Sequence, residues 1–173
     1  LNATGNKKQQ RVILGLGSNI NPEENLVRAL DLLCRQTDVR QVSSAWESPA
    51  VGSDGPDFLN AAVWIETALS LPDLKQGILR PIEAQLGRVR TADKNAPRTI
   101  DIDILIYEEN LVEPALWHHD FLVIPVAELL PDYKHPQSGE PIQKAVERLA
   151  PGEGLKHRPE VIPGLWPALG HCS

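Results

Sequence analysis

Residues 95–107 read "NAPRTIDIDILIY". A Pro-Arg pair leads into an apolar run over 99–107 that reads as a buried strand. Two carboxylates interrupt it. Strand side chains alternate faces, so Ile100, Ile102 and Ile104 share one face and Asp101 and Asp103 the other. The aspartate α-carbons then stand about 6.5–7 Å apart. Two bare carboxylates at that distance raise each other's pKa. The spacing alone leaves two readings open. In one, an aspartate pairs with a nearby arginine and the other meets water on an edge strand. In the other, both face a cation, and oxygen-only donors suit Mg²⁺.

The segment just before it weighs toward the cation. "GRVRTADKNAPR" (87–98) places Arg88, Arg90, Lys94 and Arg98 in one loop, in a 173-residue chain of net charge -6. Arginine forks onto phosphate oxygens. Metal-holding carboxylates beside such a cluster make a two-sided clamp for ATP, a recurrent device in phosphoryl transfer. The acidic balance otherwise points away from nucleic acid and from anionic membranes. No apolar run approaches the ~20 residues of a membrane span. The two cysteines, Cys34 and Cys172, lie far apart with no metal-ligand spacing. They give neither a zinc site nor a disulfide framework, and fit a reducing, cytoplasmic setting.

Outward from that loop, the chain is expected to divide into a polar, disordered leader (1–10), one domain (11–150) and a Pro- and Gly-rich tail (151–173). "RVILGLGS" (11–18) reads as a buried strand ending in a Gly-Ser turn. No Gly-Lys follows it, so it is not a phosphate-binding P-loop, and its expected role is structural. Asn21 is the expected N-cap of a helix over 22–36, with Pro22 at the first position and Glu23 and Glu24 in the first turn. Leu26, Leu30 and Leu33, with Val27 and Cys34, form its apolar stripe. "VRQVSSAWES" (39–48) and "FLNAAVWIETAL" (58–69) read as strands joined by turn-formers. A helix over 72–86 contains Pro81, which has no N–H for Gly77 four residues back, so a kink or broken turn is expected there. A short strand or loop, a helical turn and an amphipathic helix (141–150) follow the 99–107 strand. The order β-α-β-β-α-β implies an α+β, ferredoxin-like core with a mostly antiparallel sheet and additional C-terminal elements. Its two helices are expected to cover one sheet face and leave the other for a site.

"GRVR" followed by "APRTIDIDILIY" closely resembles the signature of the 6-hydroxymethyl-7,8-dihydropterin pyrophosphokinases of folate biosynthesis. "LGLGSNI" (14–20), "VSSAWESPAVG" (42–52) and "PDFLNAAVWIET" (56–67) resemble the family's first three strands in order. The resemblance implies a monomer that moves pyrophosphate from ATP to the pterin hydroxymethyl group and releases AMP. It implies that Asp101 and Asp103 hold two Mg²⁺ ions. Arg88 and Arg98 match the catalytic-loop arginines, Arg90 a triphosphate contact and Glu83 a nucleotide-side position. Asn60, Phe58, Ser48 and Val51 match the pterin side.

Two departures stand out. Asn95 occupies the place of a loop aromatic. The family's Pro-His pair and following Arg and Phe are compressed here into "EPALWHHDFLVIP". Phe121 fills the second aromatic position, and His118 or His119 stands in for the missing His or Arg. Two other readings follow from the same residues. One is a weakened relative that binds pterin and nucleotide without turnover. The other is a nucleotidyltransferase of the Gly-Ser plus Asp-x-Asp type, against which the long sequence separation of Ser18 and Asp101 weighs.

Overall fold

The computed structural model describes residues 8–52, 54–93, 96–149 and 154–162. Most of the leader, Lys94, Asn95, Cys172 and much of the tail lie outside these. In chain order the elements are β1 (Gln10–Ser18), α1 (Pro22–Gln36), β2 (Asp38–Val42), β3 (Ala45–Ser48) and β4 (Phe58–Thr67). There follow α2 (Leu71–Leu74), a π turn (Lys75–Leu79), α3 (Arg80–Gln85), β5 (Asp101–Tyr107) and β6 (Asn110–Leu111). A 3₁₀ turn (Pro114–Trp117), α4 (Asp120–Leu129), α5 (Ile142–Leu149) and β7 (Lys156–Arg158) complete the described chain.

The sheet order is β6-β5-β1-β4-β3-β7, with β2 beside β3 on the same edge of β4, and every pairing is antiparallel. This is the ferredoxin-like α+β arrangement, extended at both edges. The expected 39–48 strand is divided into β2 and β3. Ser43 sits in the gap and exchanges bonds with Ala62: its backbone N–H donates to the Ala62 carbonyl at 2.9 Å, and its Oγ accepts the Ala62 N–H at 2.8 Å. A side chain thus replaces one rung of the ladder.

Leu26, Leu30 and Leu33 of α1 are fully buried with Val12, Leu14 and Leu16 of β1 and Ile100, Ile102 and Ile104. Each such side chain contributes roughly 1.5–3 kcal/mol by leaving water. Asn21 differs from the expected cap. It adopts the left-handed conformation (φ 43°, ψ 54°), which Asn tolerates, and makes no side-chain cap bond. The chain entry is instead tied by Asn25, whose Nδ2 donates to the Ile20 carbonyl at 2.6 Å.

The expected break near Pro81 is the π turn: the Arg80 N–H reaches back five residues to the Lys75 carbonyl. A Cβ at Gly77 would meet nothing within 4 Å. Proline, rather than room at glycine, therefore accounts for the turn.

The second sheet face is shared rather than left open. Ile13, Ala62, Leu105 and Ile106 pack there against Leu116, Trp117 and residues of α4 and α5. Leu105 is the extra residue of a β-bulge between Leu14↔Ile104 and Ile13↔Ile106, which turns Ile106 toward this second cluster. Glu128 of α4 clamps the helix to the sheet, accepting from Trp46 Nε1 at 2.6 Å and the Ser44 N–H at 2.8 Å. Within the tail, β7 adds to β3, and Arg158 pairs with Glu23, Glu47 and Glu160. Cys34 packs partly buried against the first core and is not a free thiol. The expectation that the cysteines give no disulfide is corrected for Cys34.

Gly77→Ala is expected to stabilise the protein by about 0.5–1 kcal/mol, because helical backbone favours alanine and the site is open. Thermal unfolding checks this; a lower melting temperature would show that the turn needs glycine.

Candidate active site

The register of the sheet lines up the site residues. Gly17 of β1 is the cross-strand partner of Asp101 on one side and of Asn60 on the other. Gly15 is likewise flanked by Asp103 and Ala62. Cross-strand partners share a face, so Asp101, Gly17 and Asn60 form one row with a glycine in its middle. Strands are ~4.8 Å apart, which puts Asn60 and Asp101 roughly 10 Å from each other across an open trough. Any side chain at Gly17 would stand in that trough. A Cβ on Gly15 would approach Leu105 Cδ1 to 3.0 Å.

The trough is the floor of a cavity of about 360 Å³. Ser48, Phe58, Asn60, His119 and Phe121 line it together with Arg98, Asp101 and Asp103. Val51, 60 % exposed, stands at its rim. Asn60 is buried, and its Nδ2 donates to Ser48 Oγ at 2.9 Å and to the Trp46 carbonyl at 3.3 Å. This fixes the amide with Oδ1 directed toward Gly17. His119 stacks on Phe121 with centroids 4.9 Å apart. Of the two candidate histidines, His119 lines this cavity, whereas exposed His118 lines only a neighbouring one.

A second cavity, of about 280 Å³, is bounded by Arg88, Val89, Arg90, Thr91, Asp93 and Ala96. It shares Arg98, Asp101 and Asp103 with the first. The charged trio is therefore the junction of an aromatic cavity and an arginine-bearing one. Asp101 accepts from Arg98 Nη1 at 2.6 Å and lies 3.4 Å from Arg88 Nη2. Burial pulls the Arg88 guanidinium below its ordinary pKa, and Asp101 opposes that shift. The Arg98 guanidinium also lies over the Phe58 ring, 5.7 Å from its centroid.

Asp103 is different. Among the described residues it has no ion-pair partner. Its side chain is open to solvent but sits at the base of a concavity. The surrounding protein, then Asp101 and Glu83, push its pKa up to about 6, with Lys75 pulling the other way. An uncompensated carboxylate beside Asp101 fits a divalent cation. No group of three or more His, Cys, Asp or Glu side chains exists among the described residues to hold one. Two carboxylates from the protein, with phosphate and water oxygens completing the shell, suit Mg²⁺.

Glu83 is 2 % exposed and both its oxygens are engaged. Oε1 accepts the N–H of Ile102, the residue between the aspartates, at 2.9 Å, and Oε2 meets Arg90 at 2.5 Å. It closes the part of the β5 edge that β6 does not cover and anchors the arginine loop through Arg90. Ser18 is fully buried, its Oγ donating to the Thr99 carbonyl at 2.5 Å. Its role is structural, as expected. Gly15 and Gly17 were not singled out as site residues from sequence, nor were Asn19 and Glu113; Gly17 was read there only as part of a structural turn, whereas it lies within β1 and lines the first cavity. Glycines at alternate positions within a strand were the available signal for the first two.

Fold and site together define a two-substrate phosphoryl-transfer protein on an antiparallel α+β scaffold. Residues 13–131 match the family described as 7,8-dihydro-6-hydroxymethylpterin-pyrophosphokinase (HPPK). The chain is 39% identical over 153 residues to the 2-amino-4-hydroxy-6-hydroxymethyldihydropteridine pyrophosphokinase of Methylorubrum extorquens, covering 82% of this chain and 94% of that one. It is 36% identical over 164 residues to the Pseudomonas aeruginosa protein of the same name, covering 87% and 98%. The Synechocystis protein of that name is 34% identical over 148 residues, covering 79% and 75%. A Plasmodium falciparum HPPK-DHPS crystal structure superposes with a TM-score of 0.67 at 13% identity, over 84% of this chain and 44% of that longer one. The chain belongs to the HPPK family.

The raised pKa of Asp103 has a signed consequence. The folded, metal-free protein holds this proton more tightly than the unfolded chain, whose Asp titrates near ~3.9. Stability is thus lost as pH rises from about 4 to about 6, and stays lost above. Asp103→Asn is expected to raise the melting temperature at pH 8 by roughly 2–4 °C, discounted for solvent screening, and to leave it unchanged at pH 4. Melting curves at both pH values without metal check this; equal shifts at the two would contradict it.

Proposed function

We propose that this chain transfers pyrophosphate from ATP to the hydroxymethyl group of 6-hydroxymethyl-7,8-dihydropterin, releasing AMP, as a step in folate biosynthesis. The observation that carries the reading is the meeting of an aromatic cavity and one bearing three arginines at Arg98, Asp101 and Asp103. A flat heterocycle fits between Phe58 and Phe121, with Asn60 and Ser48 at its hydrogen-bonding edge. A triphosphate fits among Arg88, Arg90 and Arg98. The acceptor hydroxyl and the β-phosphorus then meet at the junction.

In the reaction a bond forms between the hydroxymethyl oxygen and the β-phosphorus, and the hydroxyl proton passes to water. The bond from that phosphorus to the oxygen shared with the α-phosphate breaks, and AMP leaves with the electron pair. There is little covalent work for the protein, so rate comes from positioning and charge. Arg98 and Arg88 exchange Asp101 for phosphate oxygens and steady the transferred group. Asp101 and Asp103 would hold two Mg²⁺ ions, which supply charge neutralisation at the phosphates and acidify the acceptor hydroxyl. Phe58 keeps Arg98 over the heterocycle side, and the trough above Gly17 gives the substrate its path to the junction. His119 takes the place of the family's His or Arg after the metal strand. Among the described residues no helix is long and apolar enough to cross a membrane. The reading includes a cytoplasmic monomer.

The nucleotidyltransferase reading fares differently in three dimensions than in sequence. Ser18 and Asp101 are far apart along the chain, yet Gly17 and Asp101 are cross-strand partners. Distance therefore does not disfavour it. Burial of Ser18, with its hydroxyl spent on backbone carbonyls, does.

The purified chain with ATP, Mg²⁺ and the hydroxymethyl-dihydropterin is expected to release AMP, dependent on all three. Release of free pyrophosphate would favour the nucleotidyltransferase, and binding of both ligands without AMP the inactive relative. Asp101→Ala and Asp103→Ala are each expected to lower turnover by roughly 10²-fold or more while the protein stays folded. Unaltered turnover in both would remove the metal assignment.

A further inference from the structure

Asn19 follows β1 and is 5 % exposed. Its side chain spans two loops that otherwise belong to different cavities. Oδ1 accepts the backbone N–H of Arg98 at 2.7 Å, and Nδ2 donates to the Pro56 carbonyl at 3.2 Å. The Arg98 carbonyl is separately held by the backbone N–H groups of Asn19 and Ile20, at 3.1 and 3.2 Å. Arg98 is thus gripped on both sides of its α-carbon, and the grip on its amide comes from the Asn19 side chain.

Pro56 lies two residues before Phe58, whose ring underlies the Arg98 guanidinium. One buried amide therefore holds the backbones at both ends of the Arg98–Phe58 stack. That stack stands where the heterocycle cavity meets the phosphate cavity. A side chain needed only to fill space at the end of β1 would not require a donor and an acceptor aimed at these two loops. The amide is oriented by its partners, oxygen to N–H and nitrogen to carbonyl.

We propose that Asn19 is a positioning residue that sets Arg98 and the 49–57 connection in a common frame, so that the transferred group and the accepting heterocycle meet in register. The proposal rests on the pyrophosphoryl-transfer reading. Misplacement of a reacting partner by about 1 Å can cost roughly 10²-fold in rate, so the effect belongs in kcat as well as in affinity.

Two variants separate the halves of the frame. Asn19→Ala removes both side-chain bonds. Asn19→Asp keeps an oxygen for the Arg98 N–H and loses the donor to Pro56. Asn19→Ala is expected to lower kcat by roughly 10–10²-fold and to raise the KM for the pterin. The Arg98 amide should also lose its protection from hydrogen exchange. Asn19→Asp is expected to keep that protection and most of kcat while the pterin KM still rises. Asn19→Ala with kcat and pterin KM within about twofold of the parent, whatever its melting temperature, would overturn the proposal. So would Asn19→Asp losing as much kcat as Asn19→Ala while Arg98 stays protected. Should Asn19→Ala not fold, Asn19→Asp decides alone: a raised KM with kcat kept supports the frame, and an unchanged KM or a lost kcat refutes it. Absence of AMP from the parent chain would instead sink the functional reading, leaving Arg98 amide exchange to report on the frame itself.

Discussion

A strand that places two carboxylates on one sheet face needs counter-charge, and the site is organised around that need. Asp101 satisfies it internally: Arg98 and Arg88 converge on its two oxygens. Asp103 does not, and its raised pKa records the deficit. The two aspartates are therefore unlike. One is paired with two arginines, and the other has no ion-pair partner among the described residues. On the proposed reading, a metal–triphosphate complex would relieve both conditions together, because the carboxylates would hold the metal and the arginines would pair with the phosphates. Neither exchange would leave a charge unpaired at the base of the site, the costly outcome where solvent is excluded.

The scaffold makes this possible through small residues and an edge. Gly15 and Gly17 keep the sheet floor flat next to the aspartates, so the ligand can lie against backbone. Glu83 reaches across from α3 to the N–H between them, so the part of the β5 edge beyond β6 is closed without a further strand. The helices α4 and α5 cover only the far part of this face, around Ile13 and Ile106. What remains uncovered is the site.

Much of this was legible in the sequence. Period-2 alternation in "TIDIDILIY" separated core isoleucines from site aspartates. The element order yielded the ferredoxin-like core, and Pro81 marked the irregular helix. Other features were not legible for identifiable reasons. The 39–48 segment looks continuous because Ser43 supplies a side-chain rung that propensity does not register. Asn21 has a cap residue's identity, yet its left-handed backbone gives it another role. Glu83 was expected from the resemblance on the nucleotide side, but its bond to the edge of β5 comes only from the fold. The nearness of Gly17 to Asp101 is a property of β1–β5 pairing, which no local pattern reports.

The central claim is that the two cavities meet at a junction where the β-phosphorus changes partners. Following a label on the γ-phosphate of ATP tests it most directly. If the junction works as described, the γ-label moves into the pterin product together with the β-phosphate, and an α-label remains in AMP. Appearance of the γ-label as free phosphate or free pyrophosphate, with none in the pterin, would contradict the account.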